Sequence, residues 1–216
     1  MKKLALVFWA ICAAFPQVAD YANSGYKTTE GRERVAGVLL SHDRDATQKP
    51  LDLIQALQLS PGMTVADIGT GVGYMLPFLH QAVGGSGKIL AEDIFPDFLD
   101  KARRYASEKS ITNVQFIQGT EKDPKLPEAS TDLALILDAY HHFDYPADML
   151  AGLARGLKPG GRLAIVDFYK AGFRDPKHIR LDEADVIKEV EAQGFQLIST
   201  GAFTPNRQYI ALFRKK

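Results

Sequence analysis

Apolar and polar positions recur with two periods along this chain, and the switches between them mark its elements. From Lys49 onward, short β-branched runs predict strands over 64–68, 88–93, 114–118, 133–137, 162–166, 195–200 and 208–213. Helical spacing fills the gaps. Pro50 opens a helix in which Leu53, Ile54 and Leu57 share a face, and Ser60-Pro61-Gly62 closes it. Asp144 with Pro146 opens another, which carries Met149, Leu150, Leu153 and Leu157 and stops at Pro159-Gly160-Gly161. Asp182 is placed to cap a third, with Val186, Ile187 and Val190 on one face and Gly194 at its end. Strands this apolar, alternating with helices, predict a doubly wound α/β domain: a parallel sheet with helices on both faces. Only about seven residues, Gly201 to Arg207, separate the last two strands, whereas a parallel crossover needs a dozen or more. The last strand is therefore expected to run antiparallel.

The amino terminus has a different pattern. Lys2-Lys3 precede an apolar run over 4–15, and Pro16-Gln17-Val18-Ala19 follow, the order of a secretory signal over 1–19. The run is shorter than the roughly 20 apolar residues of a membrane span, so no stable span is expected. Ala19 is a small residue before a cut, although Gln17 stands where a second small residue is preferred, and Ala22 is an alternative. Cys12 follows Ile11 rather than the small residue that a lipoprotein cysteine follows. The expectation is a periplasmic or secreted protein beginning near Asp20. A retained hydrophobic helix in a cytoplasmic protein is the alternative. Residues 20–47 are expected to form a lid segment and 48–216 the main domain.

Composition narrows the function. With 216 residues, 46% of them hydrophobic, the chain can bury one full core, which excludes disorder. Lys plus Arg and Asp plus Glu are 26 each, so no basic surplus exists to neutralise nucleic acid. The single cysteine, Cys12, forms no disulfide within the chain, and no Cys/His grouping has zinc-ligand spacing.

The strongest local signal is Val65-Ala66-Asp67-Ile68-Gly69-Thr70-Gly71-Val72-Gly73-Tyr74, a strand entering a glycine-rich turn and then a helix. Pro77 fits that helix's first turn. A dinucleotide fingerprint has Gly-x-Gly-x-x-Gly/Ala, but Tyr74 occupies the third small position, which disfavours NAD. No lysine or arginine lies between Met63 and His80, which disfavours a nucleoside triphosphate. The loop suits an adenosine ligand with a polar, non-phosphate tail, and Asp67 is placed to receive an ammonium. S-adenosylmethionine has that shape and charge. Asp93 ends the next strand, where a carboxylate accepts both ribose hydroxyls or, in the other reading, caps the following helix.

Asp67-Ile68-Gly69-x-Gly71-x-Gly73, Asp93-Ile94-x-Pro96, Gly119, the stretch from Asp138 to Phe143, and Leu157-Lys158-Pro159-Gly160-Gly161-Arg162 fall in order at successive strand ends. Together they resemble the class I S-adenosylmethionine-dependent methyltransferases over nearly all of Lys49 to Phe213. The resemblance implies a Rossmann-like seven-stranded sheet with an antiparallel last strand. It also implies cofactor contacts from Asp67, Gly69, Thr70, Gly71, Gly73, Asp93, Ile94 and Asp138. Many members place an acid directly behind the glycine after the third strand, where this chain has Thr120, so the adenine contact shifts to Glu121 or to backbone. Arg44-Asp45 with Gln48-Lys49-Pro50 is similar to a leader of exported bacterial members of unassigned substrate, which carry tryptophan where Thr47 stands.

Methyl transfer is an in-line displacement that needs alignment, dryness and, for some acceptors, a base. In open parallel sheets the site lies outside the carboxyl ends of the strands. Asp138-Ala139-Tyr140-His141-His142 and Asp167-Phe168-Tyr169 stand there, which makes Tyr140, His141 and His142 the catalytic candidates. Each histidine is a proton acceptor in one reading and a packing residue in the other. No carboxylate-histidine pair is recognisable, so alignment and desolvation are expected to carry catalysis. His42-Asp43-Arg44-Asp45 suggests a metal, but solvated, capping or lid roles outweigh that reading, and no metal is expected. Tyr140, Phe143, Tyr145, Phe168, Tyr169 and Phe173 form an aromatic acceptor pocket or part of the core. The chain lacks Asn/Asp-Pro-Pro-Tyr after the fourth strand, against methylation of adenine amines in DNA, and lacks cysteines for arsenic. The expected function is methyl transfer to a small-molecule or lipid-like acceptor. A non-catalytic binding protein or sensor of the same cofactor is the alternative.

Overall fold

A computed structural model describes residues 17–41 and 43–216. The expected export signal lies outside the described residues except for Gln17 to Ala19, and His42 lies outside them too. A 3-10 turn over Ala22–Tyr26 comes first, followed by α1 (Thr29–Leu39), α2 (Arg44–Gln48) and α3 (Pro50–Leu57). Then strand and helix alternate: β1 (Thr64–Ile68), α4 (Leu76–Val83), β2 (Lys88–Asp93), α5 (Pro96–Glu108), β3 (Val114–Gln118) and β4 (Thr131–Leu137). The chain ends with α6 (Pro146–Gly156), β5 (Leu157–Phe168), α7 (Glu183–Ala192), β6 (Phe195–Thr204) and β7 (Gln208–Lys215). Among the described residues, no helix is long and apolar enough to cross a membrane.

The strands form one seven-stranded sheet in the order β3-β2-β1-β4-β5-β7-β6. β7 pairs antiparallel with both β5 and β6, and the other pairings are parallel. Successive residues of each strand face opposite sides. Thus Val65, Leu133 and Leu135 pack with Leu53, Leu79 and Ala102 of α3, α4 and α5, while Ala66, Ile68 and Ile136 pack with Leu150, Leu153 and Val190 of α6 and α7. The strand order reverses between β1 and β4, which opens a crevice at their carboxyl ends.

Several boundaries differ from the sequence expectation, among them the opening of α6, where Tyr145 rather than Asp144 is the N-cap residue and the helix ends at Gly156. β5 begins at Leu157, because Thr131 pairs with Leu157 and Leu133 with Arg162, so Lys158-Pro159-Gly160-Gly161 bulges out with Gly160 at φ 71°. β6 continues to Thr204, because main-chain pairing such as Gly201 with Ile210 extends it through exposed positions without an apolar pattern. Asp182 occupies the N-cap of α7, and its carbonyl accepts from the Asp185 and Val186 amides, but its side chain makes no bond to that helix, since its Oδ1 accepts from the Lys170 amide.

Candidate active site

β1 delivers Asp67 and the glycine turn to the crevice, where Gly69, Gly71 and Gly73 take φ of 70°, 57° and 88°. That left-handed backbone strains any residue with a Cβ. Gly73 also lets α5 approach, since a Cβ there would stand 3.2 Å from that of Ala102 and 2.8 Å from Leu76 Cδ1. Around this turn the acids bind the chain itself. The Thr70 hydroxyl donates to Asp67 Oδ2 at 2.7 Å, and the Gly71 and Phe95 amides donate to the two oxygens of Asp93 at 2.9 Å. Phe95, not Asp93, is the N-cap residue of α5, so Asp93 braces two loops rather than capping the helix.

Glu92, on the other face of β2, is 1% exposed. Its Oε2 takes a long bond from the Gly69 amide at 3.4 Å, and its Oε1 is buried without a partner. The carboxyl fits because Gly119 has no side chain: a Cβ there would collide with Oε1. Burial pushes Asp67, Asp93 and Asp138 up to about 6 and Glu92 well above its ordinary value.

One cavity of about 320 Å³ joins these groups to residues from the N-terminal segment. Arg44 of α2 enters it, donating to the Leu39 carbonyl at 2.9 Å, lying 4.0 Å over the Tyr74 ring and standing 3.8 Å from Asp138. Burial lowers its pKa, opposed by the charge of Asp138. Tyr74, read from sequence as a bulky obstacle to NAD, donates to Asp45 at 2.7 Å and so anchors α2. Asp138 adopts φ 53° after β4 and accepts from Gln208, which also accepts from Thr204. Tyr26 completes the wall, with its ring 4.8 Å from that of His142 and its phenol pushed up to about 12 by burial.

Of the residues expected from sequence, Asp67, Gly69, Thr70, Gly71, Asp93, Ile94, Thr120, Glu121, Asp138 and His142 line this cavity. Gly73 lies beneath the turn. Tyr140 faces away from the cavity, donating to Glu189 of α7 at 2.7 Å within the core. His141 lies behind His142, its Nδ1 2.7 Å from Asp167 Oδ1 while its amide donates to Asp167 Oδ2. A carboxylate-histidine pair therefore exists, contrary to the expectation from sequence, because β4 and β5 are neighbours in the sheet and not in the chain. His142 Nδ1 lies 2.9 Å from Asn23 Oδ1, and His178 packs against both histidines at 5.1 and 5.2 Å between ring centroids. Burial and the two neighbouring imidazoles hold His142 well below its ordinary value. An imidazole with Nδ1 tied in this way offers Nε2 either to a proton or to a metal.

The N-terminal segment is pinned over this end. Asp144 accepts from the Ala19 amide at 3.1 Å and from the Asn23 side chain at 3.0 Å, and Tyr21 donates to Asp175 at 2.7 Å. Sequence reasoning assigned no site role to Asn23, Tyr26, Glu92, His178 or Gln208, and noted Arg44 only as part of a leader and of the lid segment.

Residues 65–161 match the methyltransferase domain family. The ubiquinone/menaquinone biosynthesis C-methyltransferase UbiE of Ectopseudomonas mendocina is 31% identical over 55% of this chain and 47% of its own length. The uncharacterized methyltransferase YcgJ of Bacillus subtilis is 30% identical over 54% of this chain and 50% of its own. The chain thus spans about half the length of these relatives. The crystal structure of an S-adenosylmethionine-dependent methyltransferase from Aquifex aeolicus superposes with a TM-score of 0.80 at 25% identity, covering 85% of this chain and 98% of that one.

Proposed function

From the methyltransferase-domain match over residues 65–161 and the likeness to an S-adenosylmethionine-dependent methyltransferase structure, we propose that the chain is a class I S-adenosylmethionine-dependent methyltransferase and transfers a methyl group from that cofactor to a small-molecule or lipid-like acceptor. The observation that carries this reading is the charge of the glycine loop, whose side-chain partners are the carboxyls of Asp67, Glu92 and Asp93. Those acids suit a ligand bearing sulfonium and ammonium charges and repel a pyrophosphate. The unpartnered Glu92 Oε1 at the cavity wall fits the same group, because an adenosine ligand brings hydroxyl and amino donors.

In this reading Asp93 accepts from the ribose hydroxyls, Asp67 receives the ammonium of the methionyl tail, and Arg44 pairs with its carboxylate. Ile94, Thr120 and Glu121 border the adenine end. When bound, S-adenosylmethionine supplies an electrophilic methyl group on sulfur. The chain aligns the acceptor and keeps water out: Tyr26, Phe143 and Met149 wall the acceptor side, with His142 at its edge. An aromatic wall supports a ring-bearing acceptor, the kind named for the Ectopseudomonas relative.

Calorimetry should show binding of S-adenosylmethionine in preference to NAD, weakened by Asp93→Asn about 10- to 100-fold through loss of charge-assisted bonds. NAD binding as tight or tighter would overturn the reading. The order of Lys2-Lys3, the apolar run and Ala19 also supports export, with a mature start near Asp20. Mass spectrometry of the native protein tests this, and an intact Met1 terminus in the soluble cytoplasmic fraction would refute it.

A further inference from the structure

We propose that His141, His142 and His178 form a binding site for a divalent transition-metal ion of the zinc class, with Asp167 and Asn23 as the outer partners that orient two of the rings. Each histidine places a ring nitrogen within 4.8 Å of a ring nitrogen of both others. Tetrahedral bonds of about 2.05 Å set ligand nitrogens about 3.3 Å apart. Small rotations of the rings close that difference. His178 has the most freedom for them, since it is itself only half-buried, ends an exposed 3-10 turn over Pro176–His178 and stacks on Phe173.

The surroundings are those of a ligand set rather than of three packing rings. His141 Nδ1 is held by Asp167, whose position is fixed by the amides of His141 and Phe168. His142 Nδ1 is held by Asn23, itself bonded to Asp144 and to the His142 carbonyl. With both Nδ1 atoms engaged, the Nε2 lone pairs of two adjacent rings are free. A carboxylate behind one ligand histidine orients that ring and raises its basicity, as outer partners do in metal sites. Three imidazoles without thiolate or carboxylate in direct reach select zinc, cobalt, nickel or copper over magnesium and calcium. They also leave a coordination position open, and since His142 lines the large cavity, that position belongs at the wall on the acceptor side.

The site joins segments far apart in sequence: the turn after β4, the end of β5, the turn before α7 and the N-terminal segment. Bound metal would therefore tie Asn23 and its segment to the domain, and this holds whether or not the cavity performs methyl transfer.

The test uses the metal-free full chain titrated with Co²⁺, followed by visible absorption, and then with Zn²⁺ against a chelating indicator. One equivalent per chain is expected, with the bands of a tetrahedral or five-coordinate cobalt ion. His142→Gln and His178→Gln should each weaken Zn²⁺ binding more than about 100-fold, and Asp167→Asn about 10- to 100-fold. Melting curves identify variants that remain folded. Zinc-edge X-ray absorption of the unaltered protein gives a reading that needs no variant, and it should show three imidazoles. Absence of stoichiometric uptake, or uptake unchanged in a folded His142→Gln/His178→Gln protein, would overturn the proposal and leave a packed or proton-relaying cluster.

Discussion

At the glycine loop, the acids that line the cavity sit at the ends of β1 and β2, and their partners are amides and a hydroxyl of the two turns that follow. At the histidine end, one contact set needs the turn after β4, the end of β5, the turn over Pro176–His178 and the N-terminal segment. The first region is built by local backbone conformation, through positive φ at three glycines and the turns that leave two neighbouring strands. The second exists only once distant segments have docked. Sequence carries the first as a motif and the second only as scattered residues. Their stabilities should differ in the same way, because a locally braced loop opens with the sheet whereas a docked segment opens alone.

The largest effect is expected from Gly73→Val. At φ 88°, with Leu76 and Ala102 against the place of a Cβ, the substitution combines backbone strain of about 1–2 kcal/mol with overpacking of about 1–3 kcal/mol. Urea unfolding should show a loss of about 2–5 kcal/mol across the whole domain, together with loss of ligand binding. Gly160→Val supplies the contrast, since φ is 71° but nothing lies within 4 Å, so strain alone remains. Equal losses in the two variants would show that the approach of α5 contributes nothing.

A smaller and local effect is expected at the other end. Asp144→Ala leaves the Ala19 amide without its acceptor and takes from the Asn23 side chain one of its two, a cost of about 1–3 kcal/mol. Amide exchange should then quicken by roughly 10- to 100-fold over the N-terminal turn, with the glycine loop unchanged. Faster exchange in both regions would break the contrast, because it would mean that the segment and the loop open as one unit.

The seven strands were legible because each carries a β-branched core run, and the antiparallel end followed from the short link between the last two. The glycine turn and Asp93 were legible because strand, turn and helix are contiguous. His178 was not, because the residues around it have no periodicity and its turn is held by Asp175 and Tyr21. The Asp167 and His141 pair was hidden for another reason. Each residue was singled out at a strand end, but only the pairing of β4 with β5 turns the two ends into one contact. Tyr140 shows the converse. Adjacency to the histidines suggested a shared role, yet the turn sends its ring into the core towards Glu189.

The smallest expected effect comes from pH and separates the two ends by charge. Asp67 and Asp93 are raised from 3.8 to about 6 by burial, and Glu92 is raised further in the same direction. A carboxyl whose folded pKa is raised gives stability that is full below its unfolded pKa and lost as pH rises through the folded one. Without ligand, the loop's contribution should therefore grow as pH falls from about 7.5 to about 5.5, where these groups take up protons. A cationic ligand works against that change, since it favours the ionised acids and binds best where they are already charged. Its stabilising effect, read as the rise in melting temperature at fixed concentration, should be larger at pH 7.5 than at pH 5.5. The demethylated product, which lacks the sulfonium charge, should show a weaker dependence on pH than S-adenosylmethionine. Asp67→Asn should flatten the S-adenosylmethionine curve, whereas His178→Gln, outside the cavity wall behind His142, should leave it unchanged. A curve of the same shape for both ligands would mean that the buried acids do not sense the sulfonium, and the electrostatic account of the glycine loop would fail.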